Sequence, residues 1–346
     1  MVFLMAGGGT GGHVIPGIAV ARELSARGHT PVFVGTRRGL ESKLVPAAGF
    51  PLELIEIGSL QGQGRWQQLT TMARLPGSIL RCLGLLRKHE AAAVFSMGGY
   101  AAGPVAVAAA LRRVPLILME PNAIPGLTNR YMARFSRKAM LSFDDALAYF
   151  PLGNGELTGL PVRREFFNLP QRKRGEVISI LVTGGSRGAR TLNQAVAGLW
   201  PLLAGQPVRI LLQSGADIPD IPGVTVVPFV DDMPTAFADA DLVICRAGAG
   251  AVAELAAAGK AAILVPYPFA ADDHQAKNAA ALERAGAARM VRDGECTAER
   301  LRVEIAALLL PGKLEAMGAA ARRLARPGAA ERAADLLEEC VGVLKQ

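Results

Sequence analysis

His13 closes a glycine-rich loop, GGGTGGH at residues 7–13, and stands where the pattern predicts a helix starting near Val14. An imidazole beside a helix N-terminus meets a positive dipole end, which lowers its pKa and keeps it neutral. Neutral imidazole is the form a general base needs. Capping or packing that helix is the ordinary alternative use of the same residue. The chain has only four histidines. His29 and His89 fall in helix-to-strand connections, where they are expected to be solvated, and no two histidines have the spacing of metal ligands.

Glycine loops recur. Residues 7–12, 96–104, 184–188 and 246–250 each follow an apolar run and precede a helical pattern. Such a turn presents unpaired backbone N–H groups and a positive dipole end, a setting for phosphate. In the fourth loop, RAGAG, glycines precede a helix with Glu254 about one turn inside it. A carboxylate there can accept two hydrogen bonds from a ribose diol; its ordinary alternative is an exposed glutamate near a helix start. Asp272, Asp273, His274, Gln275 and Asn278 follow the next predicted strand, at the end where α/β sheets bind ligands.

Two alternatives are weighed on the same residues. Residues 7–12 satisfy GxGxxG, but the second predicted strand ends in Gly35-Thr36-Arg37-Arg38, without the carboxylate that NAD requires. Two arginines could hold a 2′-phosphate, so an NADP-dependent oxidoreductase stays open as a second reading. Neither half continues into GK[ST], which excludes a Walker A loop. Asp239-Ala240-Asp241 precedes a strand and reads as a turn; no metal site is expected.

These loops need strands to carry them. Continuous Val- and Ile-rich runs at residues 32–35, 93–96, 116–119, 178–182, 209–213, 242–245 and 262–265 alternate with helix-period segments. Hydrophobicity without alternation marks strands buried on both faces, so the expected fold is α/β, doubly wound and parallel, twice over. The expected domains are residues 1–160 and 161–328, with a boundary in LTGLPVRREFFN at 157–168. A last helical pattern, 329–346, closes the second domain or crosses back to the first.

The net charge of +8 is unevenly divided: residues 1–160 hold 16 Lys/Arg against 9 Asp/Glu, and residues 161–346 hold 22 against 21. An anionic partner is therefore expected on the N-terminal half. Within it, residues 65–88 place Trp66, Leu69, Met72, Leu75, Ile79, Leu83 and Leu86 at helical spacing among arginines, with a break expected at Pro76-Gly77. That stripe fits either core or a surface lying on anionic lipid headgroups. No apolar run reaches the ~20 residues that cross a bilayer. Six residues precede the first glycines, without the pattern of a secretion signal, and four scattered cysteines fit a reducing compartment.

Taken in order, GGGTGGHVIPGIAVA, MGGYAAGP, EPNAIPGLTNR, GLPVR, GGSRGARTLN, FVDDM, RAGAGAVAEL and DDHQAKNA resemble the MurG family of peptidoglycan N-acetylglucosaminyltransferases, from the first loop to about Ala279. The resemblance implies a GT-B fold, two Rossmann-like domains facing a central cleft. It also implies inverting transfer of GlcNAc from UDP-GlcNAc to the 4-hydroxyl of MurNAc in undecaprenyl-pyrophosphoryl-MurNAc-pentapeptide. By the same resemblance Arg163 and Ser186 bind the diphosphate side, and Val230 binds the uracil. Ala249, Gly250, Ala251, Val252, Ala253 and Glu254 bind phosphates and ribose, and Gln275 binds the GlcNAc hydroxyls. Thr10, Gly11, Gly12 and Asn122 contact the sugar from the N-terminal half. No obligatory cofactor or metal is implied, and no nucleic acid partner. The implied location is peripheral, on the cytoplasmic face of the inner membrane.

The chain departs from that family at one telling place: Met119-Glu120-Pro121-Asn122 stands where His-Glu-Gln-Asn is common. That first histidine therefore cannot be an obligatory base, which leaves His13 as the preferred catalytic residue and Glu120 as second choice.

Overall fold

The computed structural model describes residues 1–9, 11–58, 65–170, 175–185, 188–203 and 205–342, with backbone alone for 65–69. The chain divides into two compact units, one of Met1–Val162 with Arg326–Gln346, the other of Arg163–Ala325.

The first unit is built on seven parallel strands: β1 (Val2–Ala6), β2 (Thr30–Gly35), β3 (Leu52–Leu54), β4 (Ala93–Ser96), β5 (Leu116–Glu120), β6 (Lys138–Leu141) and β7 (Gly155–Leu157). Their order is β3-β2-β1-β4-β5-β6-β7. The order reverses beside β1, where Met5 pairs with Phe33 on one side and Phe95 on the other. Ligands of open α/β sheets bind at the carboxyl ends of strands flanking such a switch point. The helices are α1 (Gly11–Ala26), α2 (Glu41–Ala47), α3 (Arg65–Lys88), α4 (Ala102–Arg112) and α5 (Leu127–Met132). Strands β4 and β5 are buried at every position and are apolar up to Ser96 and Glu120 at their carboxyl ends, as a sheet covered on both faces requires.

The second unit repeats the plan with β8 (Ile178–Thr183), β9 (Val208–Gln213), β10 (Val224–Val227), β11 (Leu242–Cys245), β12 (Ala261–Leu264) and β13 (Arg289–Met290). Their order is β10-β9-β8-β11-β12-β13, again reversing beside the first strand. Its helices are α6 (Arg190–Leu202), α7 (Met233–Asp239), α8 (Ala249–Ala258), α9 (His274–Arg284), α10 (Ala298–Leu308) and α11 (Lys313–Leu324). Asp241 accepts a hydrogen bond from Ser179 N at 2.8 Å, so this half of the Asp-Ala-Asp triplet ties β11 to β8.

The last helix, α12 (Ala329–Cys340), belongs to the first unit. Arg27, at the end of α1, donates to Asp335 at 2.6 Å and Glu338 at 2.8 Å, and Arg332 forks onto Glu156 at 2.6 and 2.9 Å. Paired guanidinium–carboxylate contacts of this kind fix geometry as well as adding charge-assisted strength.

Three expectations need correction. His29 and His89 are not solvated: their rings are largely buried and lie 2.8 Å from Glu338 and 2.9 Å from Glu53. Helix α3 runs unbroken through Pro76-Gly77, and Ser78 Oγ donates to Arg74 O at 3.1 Å and Glu56 O at 2.6 Å beside the proline. His13 is not a cap, because α1 already begins at Gly11 and places it inside the first turn.

Candidate functional site

In the first unit the loop after β1 and the loop after β4 pack glycine on glycine. Gly99 has φ +79°, and a Cβ there would come within 2.9 Å of Gly8 O and 3.3 Å of the His13 ring carbon Cδ2. Only glycine has the backbone freedom and the size for that contact. The close approach sets the His13 imidazole, half-buried, against the Gly98-Gly99 turn. Gly11 and Gly12 form the opening of α1 beside it.

Beneath the same loop lies a carboxylate that the sequence patterns did not single out. Glu41 is completely buried and accepts from Gly9 N, Thr36 N and Thr36 Oγ1, each at 2.8 Å. Thr36 Oγ1 also lies 3.2 Å from the Tyr100 hydroxyl. Glu41 lies three residues past the Gly35-Thr36-Arg37-Arg38 end of β2, in a segment whose other residues read as an ordinary helix start.

At the end of β5, Glu120 is 2% exposed and serves as a buckle. One oxygen accepts from Asn122 N at 2.9 Å and Asn122 Nδ2 at 3.2 Å, the other from Gly126 N at 3.1 Å and Asn129 Nδ2 at 2.8 Å. Burial raises its pKa to about 7, against the lowering effect of those donors. Both oxygens are thus committed to holding the 121–126 turn, and Asn122 is set by Glu120. Asn129, which also donates to Met119 O at 2.9 Å, is a second residue that pattern reading missed.

In the second unit the counterpart is the start of α8. Gly248 precedes the helix with extended backbone and, among the described residues, no side-chain cap, and a Cβ built at Gly248 or Gly250 would meet none of the described residues within 4 Å. The helix therefore offers its first N–H groups to open space. Residues 249–253 are small or apolar, so the amides, not side chains, are the polar groups on offer there.

Glu254 lies one and a half turns into α8, with Arg163 Nη2 at 3.7 Å from its Oε1. Its carboxyl is pushed up to about 7 by burial, partly offset by Arg163. The Arg163 guanidinium rests over the Phe166 ring at 5.0 Å, and also helps, behind the Thr235 hydroxyl and N–H, to hold Asp232 below the usual carboxylate range. Asp232 caps α7 by accepting from Thr235 N at 3.1 Å. Val230, half-buried, lies in the turn just before that cap.

The loop after β8 is held from below. Gln213 Nε2 donates to Gly185 O at 3.1 Å, Gly185 N donates to Thr183 Oγ1 at 3.1 Å, and Gly188, at φ +67°, packs directly on the Ser214 carbonyl. Further polar contacts gather around the turn after β12. Gln275, in the first turn of α9, accepts from Tyr267 N at 2.9 Å. Arg246 binds Asp293 and donates to Val265 O at 3.1 Å and Pro266 O at 3.2 Å, while Asp293 also accepts from Thr191 at 3.1 Å. Asp272 and Asp273 both adopt left-handed backbone, at φ +52° and +53°, immediately before α9, whose first two residues are His274 and Gln275. Two successive non-glycine residues in that region store strain of about 1–3 kcal/mol each, a pattern met at ligand sites.

Thr10 and Ser186 lie outside the described residues. Among the others, Gly11, Gly12, His13, Glu120 and Asn122 belong to the first unit, and Arg163, Val230, residues 249–254 and Gln275 to the second.

Helix α3 divides its stripe. Of the stripe, Leu86 joins the core beside Cys82 and Leu85, with Ile79 and Leu83 packed on it, whereas Met72 is 61% exposed, as is the off-stripe Leu80 at 68%; the side chains of Trp66 and Leu69 lie outside the described residues. Exposed Arg74, Arg81 and Arg87 lie along the same helix. Among the described residues, no helix is long and apolar enough to cross a membrane.

Comparison with known proteins matches residues 3–141 to the glycosyltransferase family 28 N-terminal domain and residues 179–339 to the family 28 C-terminal domain. Over 348 residues, 97% of the chain and 95% of the relative, it is 56% identical to the UDP-N-acetylglucosamine–N-acetylmuramyl-(pentapeptide) pyrophosphoryl-undecaprenol N-acetylglucosamine transferase of Solibacter usitatus. The protein of the same name in Myxococcus xanthus is 42% identical over 364 residues, covering 100% of the chain and 94% of the relative. The crystal structure of Acinetobacter baumannii MurG superposes with a TM-score of 0.81 at 32% identity, covering 98% of this chain and 99% of that one. The calicheamicin glycosyltransferase CalG4, at 17% identity and a TM-score of 0.74 over 100% and 99% of the two chains, shares the fold. The oxidoreductase alternative falls with these matches. Its geometry argues the same way: the Gly9 N–H, one of the amides a dinucleotide loop would turn to a pyrophosphate, is donated to Glu41, and Arg37 and Arg38 point to solvent.

Proposed function

Because the chain belongs to glycosyltransferase family 28, we propose that it transfers GlcNAc from UDP-GlcNAc to the 4-hydroxyl of MurNAc in undecaprenyl-pyrophosphoryl-MurNAc-pentapeptide, a step of peptidoglycan synthesis. The observation that carries the site assignment is the uncapped start of α8 over open space, with Glu254 and Arg163 beside it. A nucleoside diphosphate suits that arrangement: helix amides and a guanidinium for the diphosphate, a carboxylate for the ribose diol. Val230 takes the uracil edge, Gln275 the GlcNAc hydroxyls, and Ser186 the diphosphate side. Gly11, Gly12, Thr10 and Asn122 contact the sugars from the first unit.

The reaction is a single inverting displacement. His13 takes the proton of the muramyl 4-hydroxyl, that oxygen forms a bond to the anomeric carbon, and the bond from that carbon to the diphosphate oxygen breaks. UDP leaves with the electron pair, and the α8 amides and Arg163 stabilise the growing charge. Glu120 is less suited to the proton transfer, since both its oxygens already hold the 121–126 turn.

The acceptor is lipid-linked, and α3, with Met72, Leu80 and its arginines exposed, is the face for an anionic membrane surface. On this reading the protein acts peripherally, on the cytoplasmic face of the inner membrane. Turnover of UDP-GlcNAc with the lipid-linked muramyl acceptor tests the transfer. Flotation with anionic liposomes, comparing wild type with Arg81 and Arg87 neutralised, tests the surface, and equal binding would remove those charges from it.

A further inference from the structure

We propose that Glu41 is a positioning residue for the transfer, locking the loop that carries His13 to the two loops that flank it. The proposal rests on the reading that puts the proton transfer at His13.

The carboxyl of Glu41 has no exposure, and taking a carboxyl group out of water is expensive unless its oxygens are well supplied with donors. Here they are. Oε2 accepts from Gly9 N and Oε1 from Thr36 N and Thr36 Oγ1, all at 2.8 Å. Gly9 belongs to the His13 loop, Thr36 to the loop after β2. A Cβ at Gly8, Gly35 or Gly39 would run into the same side chain, so backbone from both loops is moulded around it.

The ring of contacts then closes through the third loop. The Thr36 hydroxyl spends its proton on Glu41, so in the 3.2 Å contact with Tyr100 it is the tyrosine that donates. The Tyr100 ring lies against Gly9, where a Cβ would come within 2.8 Å of Cε1. The neighbouring Gly99 backs onto Gly8 O and the His13 ring. One carboxylate thus sets the height of the His13 loop from below and, through Thr36 and Tyr100, the wall that the imidazole leans on. It lies in the first unit, whereas Arg163 and Glu254, assigned to the donor, lie in the second.

Glu41→Gln keeps the size of the side chain but presents an NH2 group to either Gly9 N–H or Thr36 N–H, whichever way the amide turns. One anchor is lost, and a base displaced by an ångström loses about 100-fold in rate. The expected result is a fall in kcat of about 10- to 100-fold with the Kd for UDP, measured by calorimetry, changed less than about twofold. Thr36→Val, which removes only the hydroxyl link, should shift kcat the same way by less.

The decisive comparison is the double variant. If Glu41 acts through His13, Glu41→Gln should slow wild type but not His13→Ala. A wild-type kcat in Glu41→Gln, or a full multiplicative loss in the double variant, overturns the proposal. Should Glu41→Gln fail to fold, shown by a collapsed melting transition, the same cycle with Thr36→Val decides in its place. His13→Ala alone reads the underlying assignment: if it retains kcat, the base is elsewhere and this positioning role falls with it. A slow His13→Ala beside a fast Glu41→Gln would leave the base in place and remove Glu41.

Discussion

Arg163 and Glu254 face one another at 3.7 Å, a half-exposed guanidinium beside a carboxyl pushed up to about 7 by burial. The pair is close enough to feel each other's charge but too long for a hydrogen bond, which leaves the oxygens of Glu254 available to a ligand. A carboxylate accepts hydrogen bonds from a ribose diol better than the neutral acid does. The KM for UDP-GlcNAc should therefore fall as pH rises from about 6 to 8, through the pKa near 7, and Glu254→Gln should raise KM and flatten that dependence. Steady-state kinetics across the range checks it; an unaltered profile in the variant would refute the ribose role.

Two glycines separate binding from folding. At Gly248 a Cβ meets none of the described residues and φ is −65°, so Gly248→Ala should leave the melting temperature within a few degrees while raising the donor KM, because the methyl enters space assigned to the diphosphate. At Gly188, φ +67° and the overlap with the Ser214 carbonyl oppose any side chain, and Gly188→Ala should destabilise the second unit by more than about 2 kcal/mol. Equal effects of the two changes on donor KM at matched stability would contradict the assignment of α8.

The buried ion pair of Arg246 and Asp293 ties the loop before α8 to the start of α6 through Thr191. Removing one partner of a largely buried pair costs about 3–5 kcal/mol, since the other charge is stranded. Asp293→Ala should accordingly lower stability in chemical denaturation by an amount of that order, and weaken UDP binding as the α8 start shifts. A change below about 1 kcal/mol would show that solvent screens the pair.

Much of this was legible in the sequence, and the exceptions have physical causes. Strands such as Leu242–Cys245 and Ala261–Leu264 announce themselves because both faces are covered, leaving no polar position to break the run. Strands Leu52–Leu54, Gly155–Leu157 and Arg289–Met290 are two or three residues long and only partly buried, so nothing in composition marks them. The glycine loops were readable as loops. Their supports were not: Glu41, Asn129 and Asp293 act through partners 10 to 47 positions away, such as Gly9, Met119 and Arg246, and a single polar residue in a helix start carries no sign of that. His29 misled for the same reason, since its partner Glu338 arrives from the far end of the chain.

Glu120 makes a prediction about stability. Burial raises its pKa from the ordinary 4.5 to about 7, so the folded first unit holds the proton more tightly than the unfolded chain does. The stability it contributes is present below about 4.5 and is lost as pH rises through about 7. Thermal melting from pH 5 to 8 should show a smaller decline in Glu120→Gln than in wild type. A decline of the same size in both would place the titration elsewhere.

The central claim is transfer of GlcNAc with His13 as the base. Its most direct measurement is turnover of UDP-GlcNAc with the lipid-linked muramyl acceptor by wild type and His13→Ala, with UDP affinity measured alongside. The account predicts turnover by wild type, and in His13→Ala a kcat lower by about 100-fold or more with UDP affinity nearly unchanged. No turnover by wild type, or an undiminished kcat in the variant, would contradict it.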